Sequence, residues 1–193
     1  MQRDDRERRN GHHGGIVWLT GLSGAGKSTL SQCVEHELFK MEFNCVVIDG
    51  DQLRAGLNQD LGFSEDERKE NLRRAAEVAS MFLNAGFIVL LAMIAPTRSV
   101  RDAIRKRFDS ADFAEVYVKC SLETCERRDP KGLYLKARRG ELRHFTGIDA
   151  RYEPPIDPEL IVDTEYRSIE ACSQELAAFI SHKYKYQLES EEA

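Results

Sequence analysis

Gly21-Leu22-Ser23-Gly24-Ala25-Gly26-Lys27-Ser28-Thr29 follows directly on the apolar run Ile16-Val17-Trp18-Leu19-Thr20. Together they read as a buried strand, a glycine-rich turn and the start of a helix, spaced as G-x-x-x-x-G-K-[ST]. Glycine permits positive φ and lets the backbone approach an anion closely, because no Cβ intervenes. Main-chain N–H groups at the helix N-terminus then face that anion. The pattern makes Gly21, Ser23, Gly24, Ala25, Gly26, Lys27, Ser28 and Thr29 a cradle for the phosphates of a nucleotide. Lys27 would reach the β- and γ-phosphates, and the Ser28 hydroxyl would ligate Mg²⁺. The competing reading is a glycine turn that only joins strand to helix; the flanking elements on both sides weigh against it.

Outward from this loop, apolar runs alternate with amphipathic stretches. Strands are expected at Ile16–Thr20, Cys45–Asp49, Phe87–Ala92, Phe113–Val118 and Glu159–Val162. Helices are expected from Thr29 to about Met41, from Ser64 to about Asn84, over Val100–Phe108 and Leu122–Arg128, and from Ser168 to about Tyr184. Ser64 followed by Glu67 is a capping-box pattern, and Ala85-Gly86 suits a helix end. This alternation predicts an α/β fold: a three-layer sandwich of the phosphate-loop NTPase type, with a five-stranded parallel sheet covered by helices on both faces. Residues 15–185 read as a single domain, 1–14 as a flexible lead-in and 186–193 as an acidic tail. Asp129–Asp157 breaks the rhythm: it is long, and carries Lys131, Lys136, Arg138, Arg139, Arg143 and Arg151. Such a segment reads as a lid over a bound anion, or as a solvated basic excursion.

The chain has 193 residues, 41% of them hydrophobic, enough for one substantial core. A net charge of −5 argues against general attraction to nucleic acid or an anionic membrane. No apolar stretch approaches membrane-spanning length, and the polar N-terminus lacks the apolar core of a signal peptide. The five cysteines, Cys33, Cys45, Cys120, Cys125 and Cys172, include no C-x-x-C spacing. Reduced thiols in a cytoplasmic protein are expected. His12-His13 reads as part of the lead-in rather than as a metal site, because adjacent histidines lack helical ligand spacing.

Ligands of open parallel sheets bind beyond the carboxyl ends of the strands. Asp49-Gly50-Asp51 ends the second expected strand, so it should lie beside the loop. Asp51 is the candidate base or orienting group for an acceptor hydroxyl. Asp49 is a candidate metal holder, through water, or a partner for a cation, and one of the two carboxylates could instead cap the next short helix. On the long helix, Arg68 and Asn71 share a face, with Arg73 and Arg74 beside them and Arg54 upstream. Clustered guanidinium groups suit phosphate or sulfate oxygens, or form a solvated face. Phe63 and Phe145 stand in polar loops, placed to stack on a base or to tuck beneath their own loops.

The blocks Gly21–Thr29, DGDQLRAGLNQDLGFSEDERKENLRRAAEVA at Asp49–Ala79, DPKGLY at Asp129–Tyr134 and FTGIDARYEPP at Phe145–Pro155 resemble the adenylyl-sulfate kinase family along nearly all of Gly15–Tyr184. The resemblance implies transfer of the ATP γ-phosphate to the 3′-hydroxyl of adenosine 5′-phosphosulfate. It places Asp51 by that hydroxyl and Lys131 at the phosphates, both with Lys27 as catalytic groups. It places Arg54, Arg68, Asn71, Phe63, Phe145 and Ile94 around the acceptor nucleotide, and implies that the nucleotide held by the phosphate loop, with Arg128, is ATP. It also implies Mg²⁺, a homodimer and possible association with a sulfate adenylyltransferase. The chain departs from the family pattern at Gln52, commonly Asn, at Ala95, often a serine described as phosphorylated in some members, at Thr97 and at Leu135. Ala95 has no hydroxyl, so a phosphoenzyme at that position is excluded and direct transfer is the simpler route. These replacements leave open a related kinase with another nucleotide or small metabolite as acceptor. A non-catalytic nucleotide-binding module is a further alternative.

Overall fold

The computed structural model describes residues 1–186. It contains α1 (Arg3–Asn10), β1 (Gly15–Thr20), α2 (Lys27–Lys40), β2 (Cys45–Asp49), α3 (Gly50–Ala55), α4 (Glu65–Asn84) and β3 (Ile88–Ala92). The chain continues with α5 (Arg98–Arg105), β4 (Phe113–Lys119), α6 (Leu122–Arg128), α7 (Leu133–Arg138), β5 (Leu160–Asp163) and α8 (Ile169–Tyr184).

The five strands form one parallel sheet in the order β2-β3-β1-β4-β5. The central strands are apolar at successive positions because both faces are covered. Alternation then divides their side chains between two cores. Val17, Leu19, Ile88, Leu90, Val116 and Val118 join the core built with α2 and α8. Ile16, Trp18, Val89, Leu91 and Phe113 face the opposite way and pack with α4 and α5. The three-layer fold expected from the sequence is therefore present.

Pairing also aligns the strand ends. Asp49 and Leu19 are both register partners of Ala92, and Thr20 is the partner of Tyr117. The loops that follow β1, β2 and β3 therefore emerge side by side. On α4, Ser64 and Glu67 form the expected capping box, with the Ser64 amide donating to Glu67 Oε2 at 3.1 Å.

The segment expected as a lead-in carries a helix. Residues 3–10 form α1, capped at Gly11 in the left-handed region at φ 73°. Both Arg3 NH groups donate to Asp112 at 2.6 Å. Glu7, buried at 4% exposure, accepts from the Gly14 amide at 2.8 Å. An eight-residue charged helix is marginal in isolation, and these tertiary pairs hold it. The acidic tail beyond Tyr186 lies outside the described residues. Residues 129–157 contain the short helix α7, whose Tyr134 and Ala137 are buried. All five cysteines are free. Among the described residues, no helix is long and apolar enough to cross a membrane.

Candidate active site

The turn after β1 shows why glycine is needed at two positions. Gly24 has φ 75°, and a Cβ there would lie 2.9 Å from the Cys125 carbonyl oxygen. Gly26 has φ 94° and caps α2, with open space where a Cβ would point. Strain rather than crowding excludes other residues at Gly26. The amides at the start of α2 lack intrahelical partners, so this end is an anion seat.

Lys27 is 8% exposed. Its Nζ donates to the carbonyls of Gly21 and Leu22, both at 2.8 Å. Burial brings its pKa down from 10.5 to about 8, partly offset by the nearby Cys125 and Asp49. The ammonium is thus held over the loop that an anion would occupy. Ser28 Oγ donates to Asp49 Oδ2 at 2.5 Å. Asp49 Oδ1 accepts the Asp51 amide at 2.8 Å and caps α3. Asp49 thus takes the capping role that the sequence offered for one of the two carboxylates. Ser28 and Asp49 offer hard oxygen donors, the ligand type that Mg²⁺ prefers. Among the described residues, no group of three or more His, Cys, Asp or Glu could hold a metal. Such a pair suits an ion whose remaining ligands are phosphate oxygens and water.

Asp51 Oδ2 pairs with Lys131 Nζ. Both side chains are more than half exposed, so this end of the site lies open to an acceptor. Lys131 belongs to the segment leading into α7. Asp129 fixes that helix start by accepting from the amides of Tyr134 and Leu135 at 3.1 and 3.0 Å. Tyr134 itself was not singled out in the sequence. Its hydroxyl donates to the Ser23 carbonyl at 2.9 Å, tying α7 to the phosphate loop. Arg128 is placed through another link: its NH2 donates to Thr164 O at 2.6 Å, and Thr164 Oγ1 donates to Ala25 O at 2.8 Å.

The expected acceptor residues split into two kinds. Phe63 is 60% exposed, with the Arg54 guanidinium 4.4 Å and that of Arg68 5.5 Å from its ring centroid. Arg54 donates to Gly62 O at 2.8 Å, and Arg68 donates to the carbonyls of Phe63 and His144 at 2.9 and 3.0 Å. The Arg68–His144 bond brings the α7 side of the molecule to α4. Phe145 is half-buried and packs edge-on against Tyr134 at 5.0 Å. It therefore joins the core here, the bland alternative that the sequence left open. Asn71 is 4% exposed and accepts from Asn58 Nδ2 at 2.9 Å, which anchors the loop before Phe63. Arg73 and Arg74 do not join the site; they pair with Glu70, Glu77 and Asp60. Ile94 follows β3, and its carbonyl accepts from Thr20 Oγ1 at 2.6 Å.

Two concavities of about 400 Å³ lie elsewhere, both bordered by Gln32 and His36 of α2. Neither includes a phosphate-loop residue, Asp51 or Lys131. The charged cluster of Lys27, Ser28, Asp49, Asp51 and Lys131 lies apart from both.

A family model for adenylylsulphate kinase matches residues 13–163. The chain is 49% identical over 183 residues to a probable adenylyl-sulfate kinase of Bacillus subtilis (strain 168), covering 95% of this chain and 93% of that protein. It is 52% identical over 180 residues to an adenylyl-sulfate kinase of Geotalea daltonii, covering 93% and 89%. The Mycobacterium tuberculosis APS kinase CysC, solved in complex with AMPPNP and APS, superimposes with a TM-score of 0.84. That match has 47% identity and covers 88% of this chain and 98% of that one. Likeness of this depth, running through the phosphate loop, the Asp49–Asp51 corner and the segment around Lys131, establishes that the chain belongs to the adenylylsulphate kinase family.

Proposed function

We propose that the chain transfers the γ-phosphoryl group of ATP to the ribose 3′-hydroxyl of adenosine 5′-phosphosulfate. The products are 3′-phosphoadenosine 5′-phosphosulfate and ADP. One observation carries this reading: Ser28, Asp49, Asp51 and Lys131 form a continuous polar chain from the triphosphate seat to an open carboxylate.

The loop amides and Lys27 grip the donor phosphates, and Lys27 leaves the carbonyls of Gly21 and Leu22 to do so. Ser28 and Asp49 would hold Mg²⁺, which neutralises phosphate charge when bound. Asp51 orients the acceptor hydroxyl and accepts its proton. Lys131, released from Asp51, supports the transferring group. Arg54 and Arg68 bind the phosphosulfate, and Phe63 offers an exposed ring for the adenine. Asn71 contributes from its bond with Asn58, and Ile94 bounds the pocket. Phe145 would turn from Tyr134 toward the nucleotide as residues 129–157 close as a lid. Arg128, linked through Thr164 to the phosphate loop, would contact ATP. The reading includes a cytoplasmic location and a homodimer; a light-scattering mass of one protomer would remove the latter.

The test is product identification after mixing protein, Mg·ATP and adenosine 5′-phosphosulfate. Acceptor-dependent ADP and a 3′-phosphorylated product are expected. ADP release with another nucleotide but not with adenosine 5′-phosphosulfate would reassign the acceptor.

A further inference from the structure

Arg101 of α5 is 5% exposed, yet its guanidinium makes three short contacts with separate parts of the chain. Nε pairs with Glu115 Oε1 of β4 at 2.6 Å. NH1 donates to the Ala95 carbonyl and NH2 to the Glu153 carbonyl, both at 2.6 Å. Burying a charge pair is a poor source of stability, because desolvation cancels most of the attraction. What the planar fork supplies is geometry, holding two carbonyls at once.

Those carbonyls belong to segments that matter. Ala95 adjoins Ile94, is buried and has φ 41°, a conformation that a non-glycine residue keeps only when its surroundings enforce it. Glu153 lies where the segment from α7 returns to the body of the protein. Further links join the same two stretches. The Glu153 amide donates to Pro96 O at 2.8 Å, and Glu153 Oε2 accepts from the Arg98 amide at 2.8 Å. Arg98 Nε donates to Pro154 O at 2.9 Å. The Thr20 hydroxyl spends its proton on Ile94 O, so Tyr152 is the donor in the 3.0 Å contact between the two hydroxyls.

We propose that Arg101 is a positioning residue for the acceptor, locking the Ile94-Ala95-Pro96 turn and the returning leg at Tyr152-Glu153-Pro154 into one rigid unit. The free part of the lid segment then swings from a root that is already part of the acceptor pocket. Opening this root misplaces Ile94 and the lid together, while the phosphate loop stays intact. This role rests on the proposed function, deepening it by a residue that touches neither nucleotide.

Arg101→Lys keeps a charge for Glu115 but cannot span both carbonyls. Arg101→Met/Glu115→Gln removes both charges and guards against failure through an unpaired buried carboxylate. In folded protein, each variant is expected to raise KM for adenosine 5′-phosphosulfate at least about tenfold, with kcat reduced and KM for ATP within about twofold of the parent. A purely structural role would lower apparent kcat with the folded fraction and leave the acceptor KM unchanged, overturning the proposal. Hydrogen exchange supplies a second arm that needs no acceptor. The Glu153 amide, bonded to Pro96 O, and the Arg98 amide, bonded to Glu153 Oε2, should lose protection together in both variants, and protection unchanged at both would also overturn the proposal. If the parent protein does not use adenosine 5′-phosphosulfate, the proposed function fails, and the exchange arm still decides whether Arg101 makes one unit.

Discussion

Binding of ATP is expected to draw close to one proton from solution at alkaline pH and almost none at acidic pH. The group responsible is Lys27, which burial lowers from 10.5 to about 8 in the free chain. A triphosphate replaces the Gly21 and Leu22 carbonyls as its partner and favours the charged form. Suppose binding merely restores the ordinary value of 10.5. At about pH 9.2 the ammonium then goes from roughly 6% to roughly 95% charged, an uptake of roughly 0.9 proton. At about pH 6.5 the same arithmetic gives under about 0.05 proton. The difference between the two values corresponds to about 3 kcal/mol of preference for a charged Lys27 in the complex. Titration calorimetry in two buffers of different ionisation enthalpy, at each pH, reads the uptake directly. Lys27→Arg provides the control, because a guanidinium does not titrate in this range. No uptake by the parent at about pH 9.2, or equal uptake by Lys27→Arg, would refute the assignment of a buried, partly neutral lysine.

Four further outcomes are expected. Asp51→Asn preserves shape but removes the proton acceptor, so turnover should fall by roughly 10²–10⁴-fold, with nucleotide affinity little changed; steady-state kinetics checks this. Tyr134→Phe deletes the hydroxyl bonded to the Ser23 carbonyl, and urea unfolding should show a loss of about 1 kcal/mol, with a higher KM for ATP. Phe63→Ala and Phe145→Ala should separate. Phe63 is exposed, so its loss weakens acceptor binding by roughly 1–3 kcal/mol with unchanged stability, whereas Phe145→Ala lowers both. The fourth concerns pH. His12 is buried, with Nε2 accepting the Asn44 amide at 2.9 Å and Nδ1 facing the His13 carbonyl, and burial holds its pKa below 6.5. Below 6.5 the unfolded chain binds the proton that the folded chain refuses, so stability should fall as pH drops from 6.5 toward the lowered folded value. Chemical denaturation between about pH 7 and pH 5 measures the slope, and His12→Gln should flatten it.

The strands were legible because parallel strands buried on both faces are continuous apolar runs, and Ile16–Thr20 and Phe87–Ala92 are such runs. The phosphate loop was legible because its chemistry is local: glycine dihedrals, a helix start, a lysine and a serine within nine residues. Ser64 and Glu67 announced the start of α4 for the same reason. The helix α1 was not legible, since its charged residues carry no apolar stripe and its partners, Asp112 and Asn84, are remote in sequence. Tyr134 was passed over because an aromatic in a basic stretch gives no sign that its hydroxyl will meet Ser23. Arg101 and Glu115 lie in an expected helix and an expected strand with nothing local to link them, and only packing makes them a buried pair.

The sequence by itself determined the sheet, its helical cover, the donor-phosphate seat and the candidate residues around it, because periodicity and local backbone chemistry are written in neighbouring positions. Tertiary structure alone decided which of those side chains meet. It set Asp51 against Lys131, left Phe63 exposed while folding Phe145 against Tyr134, and sent Arg73 and Arg74 into ion pairs. The physical reason is that a contact between residues dozens of positions apart depends on how strand ends align and which surfaces burial removes from water. Neither is a property of any short stretch of chain.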